Sequence, residues 1–135
     1  MSETPVRTHL QIGQVAERTE LSIKTIRHYD EVGLVTPSAR SAGGFRLYTD
    51  DDIDRLLVIR RMKPLGFTLA EMKELLEALD ALADPESTSE QQAEATETLH
   101  ALRAKAEDSC ENLRRQLAYA EEFTELLTTR IDSGR

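Results

Sequence analysis

From Glu90 to Ile131 the chain contains neither glycine nor proline. Nothing in that run stops a helix, and the pattern is longer than an ordinary globular helix. Within it Ala106, Cys110, Leu113, Leu117, Ala120, Thr124, Leu127 and Ile131 recur at alternating steps of four and three. That spacing draws a heptad seam along one face, narrow and small or polar in several places. A stripe of this width cannot bury itself and needs a partner helix. No second helix of comparable length is legible in the 135 residues, so the expected partner is the same helix of another copy. Leu113, Leu117, Ala120, Leu127 and Ile131 are the expected dimer contacts.

Ahead of that run the elements are short. His9–Ile12 reads as a strand, and a helix follows from Gly13 to Thr19 with Val15 and Ala16 inward. Thr19-Glu20-Leu21 is a tight connector, and Ser22 is a favourable N-cap for a second helix ending on Gly33. Two short helices joined this way form a helix-turn-helix. The second has Ile23, Ile26 and Val32 as its expected inner face, and carries Lys24, Thr25, Arg27, His28 and Tyr29 outward. A short helix crowded with donors suits a polyanion with readable edges, which duplex DNA offers in its major groove.

Thr36–Tyr48 runs from loop residues and glycines into alternating Phe45, Arg46, Leu47 and Tyr48, the pattern of a β-hairpin. Arg40 and Arg46 flank its glycine turn, which gives a wing with two guanidiniums and Phe45 as wing core. Thr49 and three aspartates cap a third helix carrying Ile53, Leu56, Leu57 and Ile59, with Arg60, Arg61 and Lys63 in its last turns. Arg60 and Arg61 are candidate phosphate contacts, set against the plainer reading of a solvated face. Thr68 to Glu71 is a capping box opening a fourth helix with Met72, Leu75, Leu76 and Leu79 as its stripe. Residues 81–89, with Pro85, read as a linker, and Ser87 to Glu90 is a second capping-box match. The expected divisions are a disordered tail over 1–8, a DNA-binding domain over 9–80, the linker, and a coiled-coil helix over 90–135.

The net charge of -8 argues against a DNA binder until it is divided. Residues 1–67 hold 10 Lys and Arg against 9 Asp and Glu, whereas residues 68–135 hold 7 against 16. The acidity belongs to the second half, and local field outweighs net charge. No segment approaches the ~20 apolar residues of a membrane span, and the start lacks a basic-then-apolar leader, so a cytoplasmic protein is expected. The single cysteine excludes an intrachain disulfide and a multi-thiolate site within one chain. Cys110 falls on the seam, where it serves as a small apolar residue. No nucleophile–base pair, phosphate loop or carboxylate dyad is legible, so no enzyme, metal or cofactor is expected.

The order of parts resembles the MerR family of bacterial transcription regulators. The resemblance rests on Ile12-Gly13-Gln14-Val15-Ala16, on Thr25-Ile26-Arg27-His28-Tyr29 with Gly33-Leu34, on Gly44-Phe45-Arg46-Leu47-Tyr48, and on Leu65-Gly66-Phe67-Thr68-Leu69 with Glu71-Met72. It implies a mainly α fold: a winged helix-turn-helix followed by a long dimerisation helix that pairs as an antiparallel coiled coil. It further implies a homodimer on a near-palindromic promoter, distorting double-stranded DNA so that RNA polymerase is affected indirectly. There is room for an unidentified small-molecule effector. By this resemblance Thr25, Arg27, Tyr29, Arg46 and Tyr48 stand at family contact positions, and His28 departs from it, because many members carry a tyrosine there. Two other readings stay open: an effector-free repressor, and a coiled-coil interaction module.

Overall fold

The computed structural model describes residues 9–134; the tail expected over 1–8 lies outside the described residues. Strand β1 (Leu10–Gln11) leads into α1 (Ile12–Thr19) and α2 (Ile23–Glu31). Strands β2 (Ala39–Arg40) and β3 (Arg46–Tyr48) form the wing. Then come α3 (Asp50–Met62), a 3-10 turn (Lys63–Leu65), α4 (Leu69–Ala83) and α5 (Ser89–Ser133). Strand β3 is central in the antiparallel sheet, pairing Tyr48 with Leu10 and Arg46 with Arg40.

Local chemistry sets most of these boundaries. The Ser22 hydroxyl accepts from the Thr25 amide at 3.0 Å and starts α2. Gly33, at φ +74, ends it: its amide donates to Asp30 O and the Leu34 amide to Tyr29 O. This doubled closure satisfies two orphan carbonyls and folds buried Leu34 back beside buried Tyr29. Thr49 and Asp52 cap α3 reciprocally, as Thr68 and Glu71 cap α4. Asp52 does more than cap. Its buried carboxylate also accepts from the Ser38 amide at 3.2 Å and hydroxyl at 2.6 Å, tying the start of the wing to α3.

Three expectations need correcting. The inner face of α2 is Ile26 with Tyr29, whereas Ile23 and Val32 are exposed. Ile23 is the first residue of the helix and Val32 its C-cap, while the large ring of Tyr29, one turn from Ile26, fills the inner face. Leu79 on α4 is also exposed; small, buried Ala78 takes the inner place there, opposite α5, on which Ala95 is buried too. The segment 81–89 is helical at both ends, over 81–83 and at Ser89. Only residues 84–88 connect, and α5 is capped by Thr88 with Gln91, one residue later than expected.

Helices α4 and α5 form an antiparallel hairpin whose interior continues the core. Leu102 of α5 joins a cluster with Met62, Phe67, Met72 and Leu76. Farther along, the Ser109 hydroxyl donates to Leu65 O at 2.9 Å, and Lys105 bonds the Glu71 carboxylate. From Glu111 onward every described residue is exposed, including the seam residues Leu113, Leu117, Ala120, Leu127 and Ile131. Tyr119, Phe123 and Leu126 draw a second exposed apolar stripe beside the seam, which the heptad reading missed.

The Glu71–Lys105 link is pH-sensitive. The Lys105 hydrogen bond, and after it the Thr68 amide, hold the Glu71 carboxyl below its ordinary range. A lowered folded-state pKa favours the charged carboxylate, so this contribution is complete above the unfolded value of ~4.3 and is lost as pH falls through the folded one. Urea midpoints of the parent should therefore exceed those of Glu71→Gln at pH 7. The gap should close between about pH 5 and pH 3.

Candidate nucleic-acid interface

Lys24, Arg27 and His28 occupy positions i, i+3 and i+4 of α2 and form one exposed stripe. Among the described residues none of the three is in a salt bridge. Thr25, beside them, is half-buried and its Oγ1 is tied to the Ser22 hydroxyl at 2.8 Å. The stripe is aimed by the turn ahead of it. Buried Thr19 donates to Val15 O at 2.8 Å and accepts from the Leu21 amide at 3.3 Å, while Glu20 takes a left-handed conformation at φ +58.

Arg60 closes that turn from α3, donating to Thr19 O at 2.7 Å and to the Glu20 carboxylate at 3.1 Å. The residue expected at a phosphate is thus a clamp on the turn between α1 and α2. Its neighbour Arg61 points about 100° away around the helix. It borders an apolar cleft of about 280 Å³ with Phe67, Leu99, Leu102 and Arg103, facing α5 and not the α2 surface.

The wing arginines are not free either. Arg46 Nε donates to Asp30 Oδ2 at 2.7 Å, and Arg40 Nη2 reaches the same oxygen at 3.4 Å. The Asp30 hydrogen bond is the main reason the Arg46 pKa is raised. Arg40 also donates to Gly44 O at 3.3 Å, across a turn that needs Gly44 at φ +81. Asp30 was not foreseen as part of the site. The available signal was the pairing of two like charges opposite each other on adjacent strands, which calls for a counter-charge.

The tyrosines lie inside. Tyr48 is 0% exposed, and its hydroxyl has no hydrogen-bond partner. It faces inward from the central strand of the sheet, so from this position it does not reach a phosphate. The Tyr29 ring is buried as well, and burial raises the pKa of both phenols. The two residues are core members where surface contacts were expected. Phe45 shows the reverse. It shares strand parity with Leu47, away from Tyr48, and at the wing tip it is 65% exposed over Gly43. Cys110 is half-buried on α5, and His100 lies against Arg103, with 3.1 Å between Nδ1 and Nη2.

An unpaired basic stripe on the second helix of a helix-turn-helix, flanked by a hairpin carrying two arginines, defines a winged helix-turn-helix of the DNA-binding kind. Residues 10–79 match the family model described as MerR HTH family regulatory protein, and residues 53–120 the one described as MerR, DNA binding. The chain belongs to the MerR family of helix-turn-helix regulators, the family its motifs resemble. It is 37% identical over 109 residues to the HTH-type transcriptional regulator CueR of Vibrio cholerae, covering 81% of this chain and 69% of that one. Over 67 residues it is 48% identical to the HTH-type transcriptional activator mta of Bacillus subtilis, which is 50% of this chain but only 26% of the activator's length. A solved MerR family regulator from Listeria monocytogenes has the same fold, with a TM-score of 0.67 at 21% identity over 86% of this chain and 83% of that one.

The Arg60 clamp has a measurable role. Replacing it in Arg60→Ala should lower stability by about 1 kcal/mol, the scale of a half-exposed hydrogen bond to a charged group. Hydrogen exchange at the amides of residues 19–22 should quicken more than exchange in α4.

Proposed function

We propose that this chain is a transcription regulator that binds promoter DNA sequence-specifically as a homodimer and acts by distorting it. The exposed Lys24–Arg27–His28 stripe, free of protein partners among the described residues, carries the reading. Cations on the second helix of such a unit meet phosphates and base edges when that helix enters the major groove. Phosphate contacts set position and base contacts set sequence.

The distal half of α5 supports the dimer. Its exposed apolar residues, among them Leu117 and Ile131, require cover, and an antiparallel twofold pairing of this helix supplies it. Two reading heads then sit on half-sites about one helical turn apart or a multiple of it. Because α5 is anchored in the core of each head, the spacing is stiff, and DNA whose half-sites do not match it must deform. Bending a site of this size costs on the order of 1–6 kcal/mol, offset by the contacts that the second head gains. RNA polymerase then responds to the shape of the promoter, and an unidentified small-molecule effector has room to shift that shape. Among the described residues no helix is long and apolar enough to cross a membrane. The protein is read as a cytoplasmic regulator, not an enzyme.

The deciding experiment is anisotropy on a duplex from the promoter of its own gene over a salt series. The parent should show a steep salt slope. Lys24→Ala and Arg27→Ala should each flatten it by about two, one phosphate per copy, if both side chains meet phosphate. An Arg27 that instead reads a base would leave the slope alone and reduce sequence discrimination by about 1–3 kcal/mol per contact. A parent with no salt-dependent binding would leave the coiled-coil module as the better reading. In sedimentation velocity the parent should run as a dimer and Leu117→Asp as a monomer, with operator affinity lost alongside.

A further inference from the structure

Asp30 is a carboxylate on the recognition helix, and its side chain is only 12% exposed. One of its oxygens contacts both wing guanidiniums, Arg46 at 2.7 Å and Arg40 at 3.4 Å, so that one charge offsets one of the two. The cations a phosphate would attract are therefore already engaged in the free protein. A phosphate that takes them leaves Asp30 largely buried without its counter-charge, which is costly unless another donor reaches it.

A second observation supplies the donor. The Tyr48 hydroxyl is the sole buried side-chain polar atom without a hydrogen-bond partner among the described residues. Buried polar groups are nearly always paired, so an orphan of this kind calls for an explanation. Tyr48 and Arg46 are alternate residues of β3 and project from the same face, the one from which Arg46 reaches Asp30. After burial, the Asp30 charge is the largest influence raising the Tyr48 pKa, so the two groups sense each other across the wing–helix junction.

We propose that Asp30 and Tyr48 form an exchange pair that releases the wing arginines to DNA. In the free protein Asp30 holds Arg46 and Arg40 while the Tyr48 hydroxyl is idle. When backbone phosphates take the guanidiniums, the Tyr48 hydroxyl donates to the Asp30 carboxylate, which thereby stays partnered. No proton is transferred; one hydrogen bond stands in for the two ion pairs that the phosphates take over. Both are positioning residues, and Tyr48 strengthens DNA binding without touching DNA. The proposal rests on the DNA-binding reading above.

The test is a double-mutant cycle of the full-length protein: parent, Tyr48→Phe, Asp30→Asn and the double variant. Each is measured for thermal unfolding without DNA and for affinity on the promoter duplex at fixed salt. Tyr48→Phe should unfold at or above the parent temperature, since it removes only an unpaired hydroxyl. It should bind DNA about tenfold more weakly, the scale of one hydrogen bond to a charged group. In the Asp30→Asn background the same change should alter affinity less than about twofold, because no charge remains to be partnered. A Tyr48→Phe protein that binds like the parent overturns the exchange, as does an equal loss in both backgrounds. A drop in the unfolding temperature of free Tyr48→Phe also overturns it, by showing that the hydroxyl already has a partner. If the parent itself fails to bind DNA, the DNA-binding reading falls and the exchange with it; parent binding with an indifferent Tyr48→Phe sinks the exchange alone.

Discussion

Everything that links the reading head to the long helix passes through the seat of α5 on the 3-10 turn and α4. Leu102 enters the common core there, and one turn later the Lys105 ammonium lies 5.0 Å from the centre of the Phe67 ring while bonding Glu71. The magnitudes rank these contacts. Burying a leucine contributes about 1.5–3 kcal/mol. A partly exposed cation over an aromatic ring contributes about 0.5–1 kcal/mol. Apolar burial holds the helix, and the ammonium fixes its rotation and register. Without this seat the head and the helix would be two bodies on a tether, and no spacing could pass from one to the other.

Charge is arranged on the same principle of local pairing. Arg40 and Arg46 face each other across the wing and share the Asp30 carboxylate; Arg60 is spent on the α1–α2 turn; Arg55 is paired with Asp80 at 2.6 Å. What remains on the reading surface is the short stripe of Lys24, Arg27 and His28. The net charge of -8 therefore says little about the local field at that stripe. The carboxylates gather elsewhere, Glu74, Glu77, Asp80 and Glu94 lining the cleft between α4 and α5.

Features set by neighbours three or four residues apart were legible in the chain. The caps at Ser22, Thr49 and Thr68 and the glycine stop at Gly33 stand where the pattern places them. Near Pro85 two overlapping cap patterns exist, and Thr88 takes the role because the Ser87 hydroxyl is used elsewhere, donating to Ala81 O at 2.6 Å. Periodicity could not decide whether Tyr29 or Val32 faces inward, since a tyrosine satisfies either face. The clamp of Arg60 on Thr19 and the hold of Asp30 on the wing arginines span tens of positions, or cross from helix to sheet. No local spacing encodes such pairs. They follow from where the sheet lies on α2 and where α3 crosses the turn.

The far half of α5 adds a physical constraint of its own. From Glu111 to Ser133 the helix has no tertiary cover, and in proteins most helical stability comes from packing an apolar face. The helix carries large apolar side chains in that stretch, Phe123 and Ile131 among them, that nothing in one copy protects. Contact with the body ends at Cys110. In the dimer proposed above, a second copy supplies the cover for that stretch, so helix stability there is linked to pairing. On that proposal the same pairing would also set DNA affinity, because a second head held at a fixed distance binds at a high effective concentration and a free one does not. Any ligand that biases the pairing of these helices would thereby act on promoter occupancy without approaching the DNA.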